Sequence, residues 1–412
     1  MVRILAICLL AVSLACSAEI ACSGLFLLNR DSVTVGRHTF FGGVGYERLG
    51  GRWKDGWDLD IRWNSANLTA GFQSDFGLLF MGASLEGIAF GSSRVKWTPE
   101  DGEASEIPVI DARWESSMLR KDAWIGARFG DHGVRLFLGN VGSSPVNRSS
   151  EYYIRDSVSL WILGGRYSVS PSSGSLLGGL SVGYVYANAD VTLQGIRTQD
   201  ESRKRFLYLP VSASAHVMDL GYGAGPVELR AVALGASAHL DNDGSRFHET
   251  LAANRALSAS VMQVLSFSFM QKSFRDNADA DLMAAALGAT YRKRVMPWVE
   301  PVASLDFFVA DADIDGRQVE ETAMLLGISY KECRFGWDAF GFGALLGLGA
   351  DFRVGALGLS VMARQVLPLV VDVKEKYDDT QEESNDSVGL GDIWDNLGNG
   401  LFLSASISFY FS

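Results

Sequence analysis

Cysteine is scarce in this chain. Four occur, at Cys8, Cys16, Cys22 and Cys333. Three of them crowd the N-terminus, so a disulfide scaffold is excluded and at most Cys22 meets Cys333. Long hydrophobic runs are also missing. Past the N-terminal segment, no uninterrupted apolar stretch reaches the roughly eighteen residues that a membrane-spanning helix needs. Proline is rare, at nine residues, which spares backbone ladders the donors that proline removes. Positive charge is outweighed: the net charge is −12 and the sequence pI is near 5.0. That excludes the basic patches of nucleic-acid binders. No metal-ligand cluster, P-loop or dinucleotide fingerprint is present. Gly341, Gly343 and Gly347 lie in an apolar segment, where they ease wall packing.

What is present is apolar but dispersed. The composition is 48% hydrophobic, the mean hydropathy is +0.11, and there are 45 glycines. At the N-terminus Arg3 precedes an apolar run from Ile4 to Leu14. This run is too short to span a bilayer as a helix but suits a signal-peptide core. Small residues follow at Cys16, Ser17 and Ala18. Residues 1–18 are therefore expected to be a signal peptide cleaved after Ala18, and 19–37 a short periplasmic leader. The alternative is a lipid-modified cysteine at Cys16 or Cys22. Ser13, Leu14 and Ala15 form only an imperfect lipobox before Cys16.

The C-terminal dozen residues carry the clearest pattern. Leu401, Leu403, Ala405, Ile407, Phe409 and Phe411 are apolar, while Ser404, Ser406 and Ser408 intervene. Side chains alternate across a strand, so this segment has one greasy and one wet face. Phe409, Tyr410 and Phe411 stand where a membrane strand places its interfacial aromatics. The segment resembles the closing strand of bacterial outer-membrane β-barrels, with Ser412 after the aromatics as a small departure. The resemblance implies that Phe409, Tyr410 and Phe411 form an assembly signal read by the barrel-assembly machinery. A terminal strand of a soluble β-sandwich is the plain alternative.

The alternation recurs along the chain. Trp57, Leu59, Ile61 and Trp63 oppose Asp58, Asp60 and Arg62, and Leu68, Ala70 and Phe72 oppose Thr69 and Gln73. Ile110, Ala112 and Trp114 oppose Asp111, Arg113 and Glu115, and Val134, Leu136 and Leu138 oppose Arg135. Further segments lie near 123–129, 161–169, 180–187, 205–219, 227–234, 257–269, 279–293, 297–310, 324–331, 342–353 and 355–370. In 227–234, Val232 and Leu234 blur the contrast. The fold class is all-β: a transmembrane antiparallel β-barrel over residues 38–412, with about sixteen strands in a range of 14–18. Short turns alternate with long loops through the middle of the chain. The phase falters where 292–297 reads as short and 311–320 as a long loop.

Charge on a lipid face costs up to several kcal/mol near the bilayer midplane. The charged residues of alternating segments are therefore expected to line the lumen. The pore-lining set is Asp58, Asp60, Arg62, Asp111, Arg113, Glu115, Arg128, Arg135, Arg166, Glu228, Arg230 and Arg364. Asp311, Asp313, Asp315 and Gly316 resemble the start of a calcium loop, but the twelfth position is Thr322 instead of glutamate. A solvated turn is the plain reading. The acidic run from Asp372 to Asp395 reads as a solvated external loop, or as cation capture at a pore mouth.

Barrel phospholipases and proteases use Ser/His or Asp/His sets. His216 lies near Ser212, Ser214 and Asp219, but residues on one strand do not reach a triad's geometry. The chain is expected not to be an enzyme and to need no cofactor. The expected function is a porin-like channel for small hydrophilic solutes in the outer membrane of a diderm bacterium. Its partners are outer-membrane lipid, the barrel-assembly machinery and the solutes, with no nucleic acid. The alternatives are a fatty-acid-type channel for hydrophobic molecules, and a closed structural or adhesive barrel binding through external loops. Monomer and trimer both stay open.

Overall fold

Extended backbone with few prolines builds long ladders. The computed structural model describes residues 38–54, 58–98, 110–144, 152–170, 177–197, 205–242, 271–324, 327–377 and 401–411. Among them are β1 (His38–Lys54), β2 (Asp58–Asp75), β3 (Leu79–Thr98), β4 (Ile110–Phe129), β5 (His132–Ser144), β6 (Tyr152–Val169) and β7 (Leu180–Arg197). There follow β8 (Arg205–Ala224), β9 (Val227–Asn242), β10 (Gln271–Arg292), β11 (Val299–Met324), β12 (Gly327–Val354), β13 (Leu357–Tyr377) and β14 (Leu401–Phe411). Each strand pairs with the next, and β14 pairs with β1 from Phe40↔Phe411 to Gly50↔Leu401. The sheet is a closed antiparallel barrel without edges.

Among the described residues fourteen strands close the wall, the lower end of the expected range and two fewer than the sixteen favoured. The strands are longer than the alternating segments that mark them. The segment 57–64, from Asp58 onward, and the segment 68–75 belong to the single strand β2, and 110–115 and 123–129 to the single strand β4. The expected loop 311–320 lies inside β11, and 324–331 divides between β11 and β12. Residues 1–37, with the expected signal peptide and leader, lie outside the described residues, as do 257–269 and the acidic run beyond Tyr377.

Both chain ends of the barrel, His38 and Phe411, lie at the rim that carries the short turns. Gly130 and Gly355 open two of them with φ of 61° and 60°, and a side chain at either would meet open space. The backbone conformation, not crowding, calls for glycine there. Short turns mark the periplasmic rim of outer-membrane barrels.

Exposure alternates along the strands and identifies the two faces. On β5, Val134, Leu136 and Leu138 are exposed while Arg135 and Phe137 are buried. The outward belt continues through Leu68, Leu85, Leu163, Leu220, Leu287 and Leu348, all exposed. Phe40, Phe72, Phe129, Tyr222, Tyr291 and Phe409 form an outward aromatic girdle toward the turn rim. Apolar exposure on this scale is incompatible with water and fits hydrocarbon. On β14 the outward set is Leu403, Ala405, Ile407 and Phe409, so the greasy face of the last strand looks to lipid and its serines look inward.

Inside, bulky side chains lie across glycines of adjacent strands. Phe41 faces Gly71, Phe80 faces Gly126, Trp124 faces Gly82, Phe137 faces Gly164 and Phe308 faces Gly343, each as a direct cross-strand partner. A Cβ at Gly82 would sit 2.3 Å from the Trp124 ring, and one at Gly126 2.2 Å from the Phe80 ring. The glycines let the rings settle on the wall. Phe41, Phe80, Trp124 and Phe137 join Leu160, Ile162 and Val185 in a buried apolar cluster.

Candidate channel lumen

Charged side chains of the inward face form a girdle. Arg120 and Asp122 of β4 pair at 2.9 Å, both almost fully buried. Arg128 at the foot of β4 binds Asp75 of β2, and its guanidinium lies 4.7 Å from the Phe80 ring. Arg135 of β5 stands 5.7 Å from the Phe80 ring and 5.6 Å from the Trp124 ring. Arg166 of β6 donates to Ser181 Oγ at 2.7 Å and approaches Asp219 of β8 to 3.9 Å. Asn67 donates to Glu86 of β3 at 2.7 Å. On the other side, Arg364 of β13 acts on both Glu47 of β1 and Asp306 of β11, and Arg230 of β9 also acts on Asp306.

The acids use the same glycine device as the aromatics. Asp122 lies over Gly139, Asp219 over Gly183 and Asp306 over Gly288, each a direct cross-strand partner. A Cβ at Gly183 would stand 2.2 Å from Asp219 Oδ1. Glycine thereby leaves room for the carboxylates to lie against the wall.

Of the pore-lining set read from sequence, Arg128, Arg135, Arg166, Glu228, Arg230 and Arg364 fall on the inward face. Asp60 and Arg62 do not. Strand β2 pairs with β1 without interruption, so Arg62 shares its face with Leu68 and Phe72, the outward one. Arg62 is 63% exposed and pairs with Asp60 at 2.9 Å. Asp58 holds a position of the same phase in β2, and Asp111, Arg113 and Glu115 hold the phase of Leu119 and Ile125 in β4. The physical reason is height. The apolar band is about 25 Å tall, and β2 and β4 rise beyond it at the end away from the turns. Above the lipid, an outward charge such as Arg62 meets water and carries no penalty.

Glu47, Glu86, Arg120, Asp122, Asp219 and Asp306 are inward residues that the sequence reading missed. Arg120 and Asp122 fell between two segments that are one strand, and Asp219 and Asp306 lie in stretches where apolar residues stand on both faces (Val217 to Leu220, Leu305 to Phe308), so the alternation has weak contrast. Asp311, Asp313 and Asp315 are corrected as well. They alternate along β11 on its exposed outer face, in phase with Phe307 and Val309, instead of curling into a loop. Among the described residues no group of three or more metal-ligating side chains converges. Ser212, Ser214 and His216 point outward and Asp219 inward, so the four do not meet. His216 binds Tyr184 at 2.7 Å on the outer face instead. Phe409 stands on the outer face, 42% exposed, beside the β1–β14 seam, in which Tyr410 and Phe411 pair with Phe41 and Phe40.

No protein-family model matches the chain, and no curated protein sequence matches it. Solved structures do. OmpT of Vibrio cholerae is 9% identical, covering 92% of this chain and 100% of its own, with a TM-score of 0.34. The translocator domain of the autotransporter NalP from Neisseria meningitidis is 11% identical over 97% of each chain, with a TM-score of 0.30. An outer-membrane channel from Pseudomonas putida F1 is 11% identical, covering 93% of this chain and 98% of its own, with a TM-score of 0.36. On its own geometry, with a closed antiparallel wall, an apolar belt outside it and an aromatic girdle at the turn rim, the chain is an integral β-barrel of the outer membrane.

Proposed function

We propose that the barrel is a passive channel for small solutes, which cross a hydrated bore past the charged girdle. The observation that carries this reading is the girdle itself. It draws on β1, β3, β4, β5, β6, β8, β9, β11 and β13, with both signs represented. Glu47, Glu86, Arg128, Glu228, Arg230, Asp306 and Arg364 are only partly covered, as charges at the wall of a water-holding bore would be, since isolated burial costs several kcal/mol per ion. Arg120, Asp122, Arg135, Arg166 and Asp219 are packed into the wall. Passage then needs no energy source, cofactor or chemical step. Width and the transverse field between arginines and carboxylates filter the solute.

Assembly into the membrane follows from the terminal strand, whose Phe409, Tyr410 and Phe411 serve as the signal to the assembly machinery. The test is planar-bilayer conductance of the refolded chain, residues 19–412. Steady steps that scale with salt are expected. A β-rich, heat-modifiable protein that never conducts would sink the channel reading and favour binding by the external loops. A channel for less polar molecules is a second reading, favoured by the inward apolar row of Val217, Leu234, Ala284 and Ala310 across β8 to β11.

A further inference from the structure

At the turn rim, the connection from β10 to β11 differs from the others. Residues 292–298 hold Arg292, Lys293 and Arg294 and no acid, in a chain whose net charge is −12. The turns 76–78, 130–131, 225–226 and 355–356 hold no cation. Arg292, Lys293 and Arg294 are all exposed. Backbone hydrogen bonds fix this turn to both neighbours. The Arg292 amide donates to the Pro226 carbonyl at 2.8 Å, and the Arg353 amide donates to the Trp298 carbonyl at 2.9 Å. The second bond brings the exposed Arg353 alongside. Within the turn, the Val299 amide donates to the Met296 carbonyl at 3.1 Å.

The same turn is greasy. Val295, Met296 and Trp298 are each about half exposed, and the Trp298 ring stacks on Phe352 with 6.3 Å between centroids. Val354 and Leu357, at the neighbouring turn, are exposed as well. This apolar edge meets the outward aromatic girdle at Tyr222 and Tyr291, so it continues the lipid belt. The carboxylates at this end of β9, β11 and β12 are Glu228, Glu300 and Asp351. They hold inward positions and are half-buried, and Glu300 approaches Arg294 to 3.8 Å. The acids thus face the bore, while the projecting turn presents cations beside exposed apolar side chains.

We infer that this turn binds an anionic phospholipid of the leaflet on the turn side, its headgroup phosphate at Arg292, Lys293 and Arg294. Val295, Met296 and Trp298 then lie against the upper part of the acyl chains. Two features single out this occupant. The cations complement a phosphate, and each Lys or Arg near an anionic lipid surface adds to affinity. The apolar residues are continuous with the lipid belt, and tryptophan settles at the membrane–water interface. An acidic protein would match the cations but has no need of an apolar edge that runs into the belt. The inference is independent of whether the bore conducts.

The test is native mass spectrometry of the refolded chain in non-ionic detergent, titrated with dioleoylphosphatidylglycerol or with dioleoylphosphatidylcholine. The first phosphatidylglycerol is expected to bind about fivefold tighter than phosphatidylcholine, or more. Lys293→Gln with Arg294→Gln should remove most of that preference, and Lys293→Arg with Arg294→Lys should keep it. Met296→Ser with Trp298→Ala should weaken both lipids alike. Arg62→Gln, at the opposite end of the barrel, should change neither. Heat-modifiable migration on gels checks that each variant is folded. Millimolar inorganic phosphate, against chloride of equal ionic strength, should not displace the lipid. Displacement would assign the site to a free anion and overturn the inference. A preference that survives Lys293→Gln with Arg294→Gln also overturns it. Equal affinity for the two lipids does so too, and leaves the turn to an acidic protein partner.

Discussion

Arg135 and Arg166 face each other directly across β5 and β6, both more than nine-tenths buried. Like charges in direct opposition destabilise a sheet unless each is compensated. Arg135 is held over the Phe80 and Trp124 rings, and Arg166 by Ser181 and Asp219. Asp219 is the nearest carboxylate to the pair that the ion contacts define. Asp219→Asn should lower stability by about 2–4 kcal/mol, because it leaves a buried guanidinium without its counter-charge. Arg166→Leu combined with Asp219→Leu should recover most of the loss. Urea unfolding in lipid vesicles checks both, and equal stability of the single and double variants would contradict the compensation argument.

The glycine seats predict a sharp positional contrast. Alanine at Gly82 or Gly126 drives a Cβ into the Trp124 or Phe80 ring and should cost about 1–3 kcal/mol, the range for overpacking. The displaced ring should also narrow the bore and reduce conductance. Gly87→Ala and Gly142→Ala meet nothing within 4 Å and should leave both properties nearly unchanged. Single-channel current and unfolding midpoints for the four variants decide.

The two faces of the charged segments predict different effects on ion selectivity. Arg364→Gln and Arg230→Gln remove lumenal cations and should shift the reversal potential in a salt gradient toward cation preference. Arg62→Gln lies on the outer face, paired with Asp60, and should leave the reversal potential where it was. A shift with Arg62→Gln as large as that with Arg364→Gln would place Arg62 in the ion path.

The height of the lipid band predicts where an outward charge is tolerated. Leu136→Arg and Leu220→Arg put a cation in the exposed belt and should cost about 2–4 kcal/mol near the midplane. Ser212→Arg lies on the outer face of the upper part of β8 and should change stability by less than about 0.5 kcal/mol. Loss of heat-modifiable migration on gels at lower temperature for the belt variants alone would locate the band.

Much of the barrel is legible in residue pattern. The terminal strand shows it most plainly, since Leu403, Ala405, Ile407 and Phe409 alternate with serines and do face outward. Arg128, Arg135, Arg166, Glu228, Arg230 and Arg364 could be found because each lies opposite apolar neighbours that reach lipid. The same logic misplaced Asp60 and Arg62, because it treated every alternating segment as a crossing. In β9 the blur caused by Val232 and Leu234 was itself a signal: both are inward, and Leu234 sits in an apolar row with Val217 and Ala284.

The sequence by itself determined an exported, all-β chain with a greasy and a polar face on each strand, because side-chain alternation is a local property of extended backbone. Only the tertiary structure decided which face is the lumen at each height. Lipid and water trade places along the outside of a strand, and the pairing register, not the local pattern, sets that height. The register also decided the strand count. It brought Arg135 against Arg166 and aligned Val185, Val217, Leu234, Ala284 and Ala310 into one wall, contacts between residues far apart in the chain.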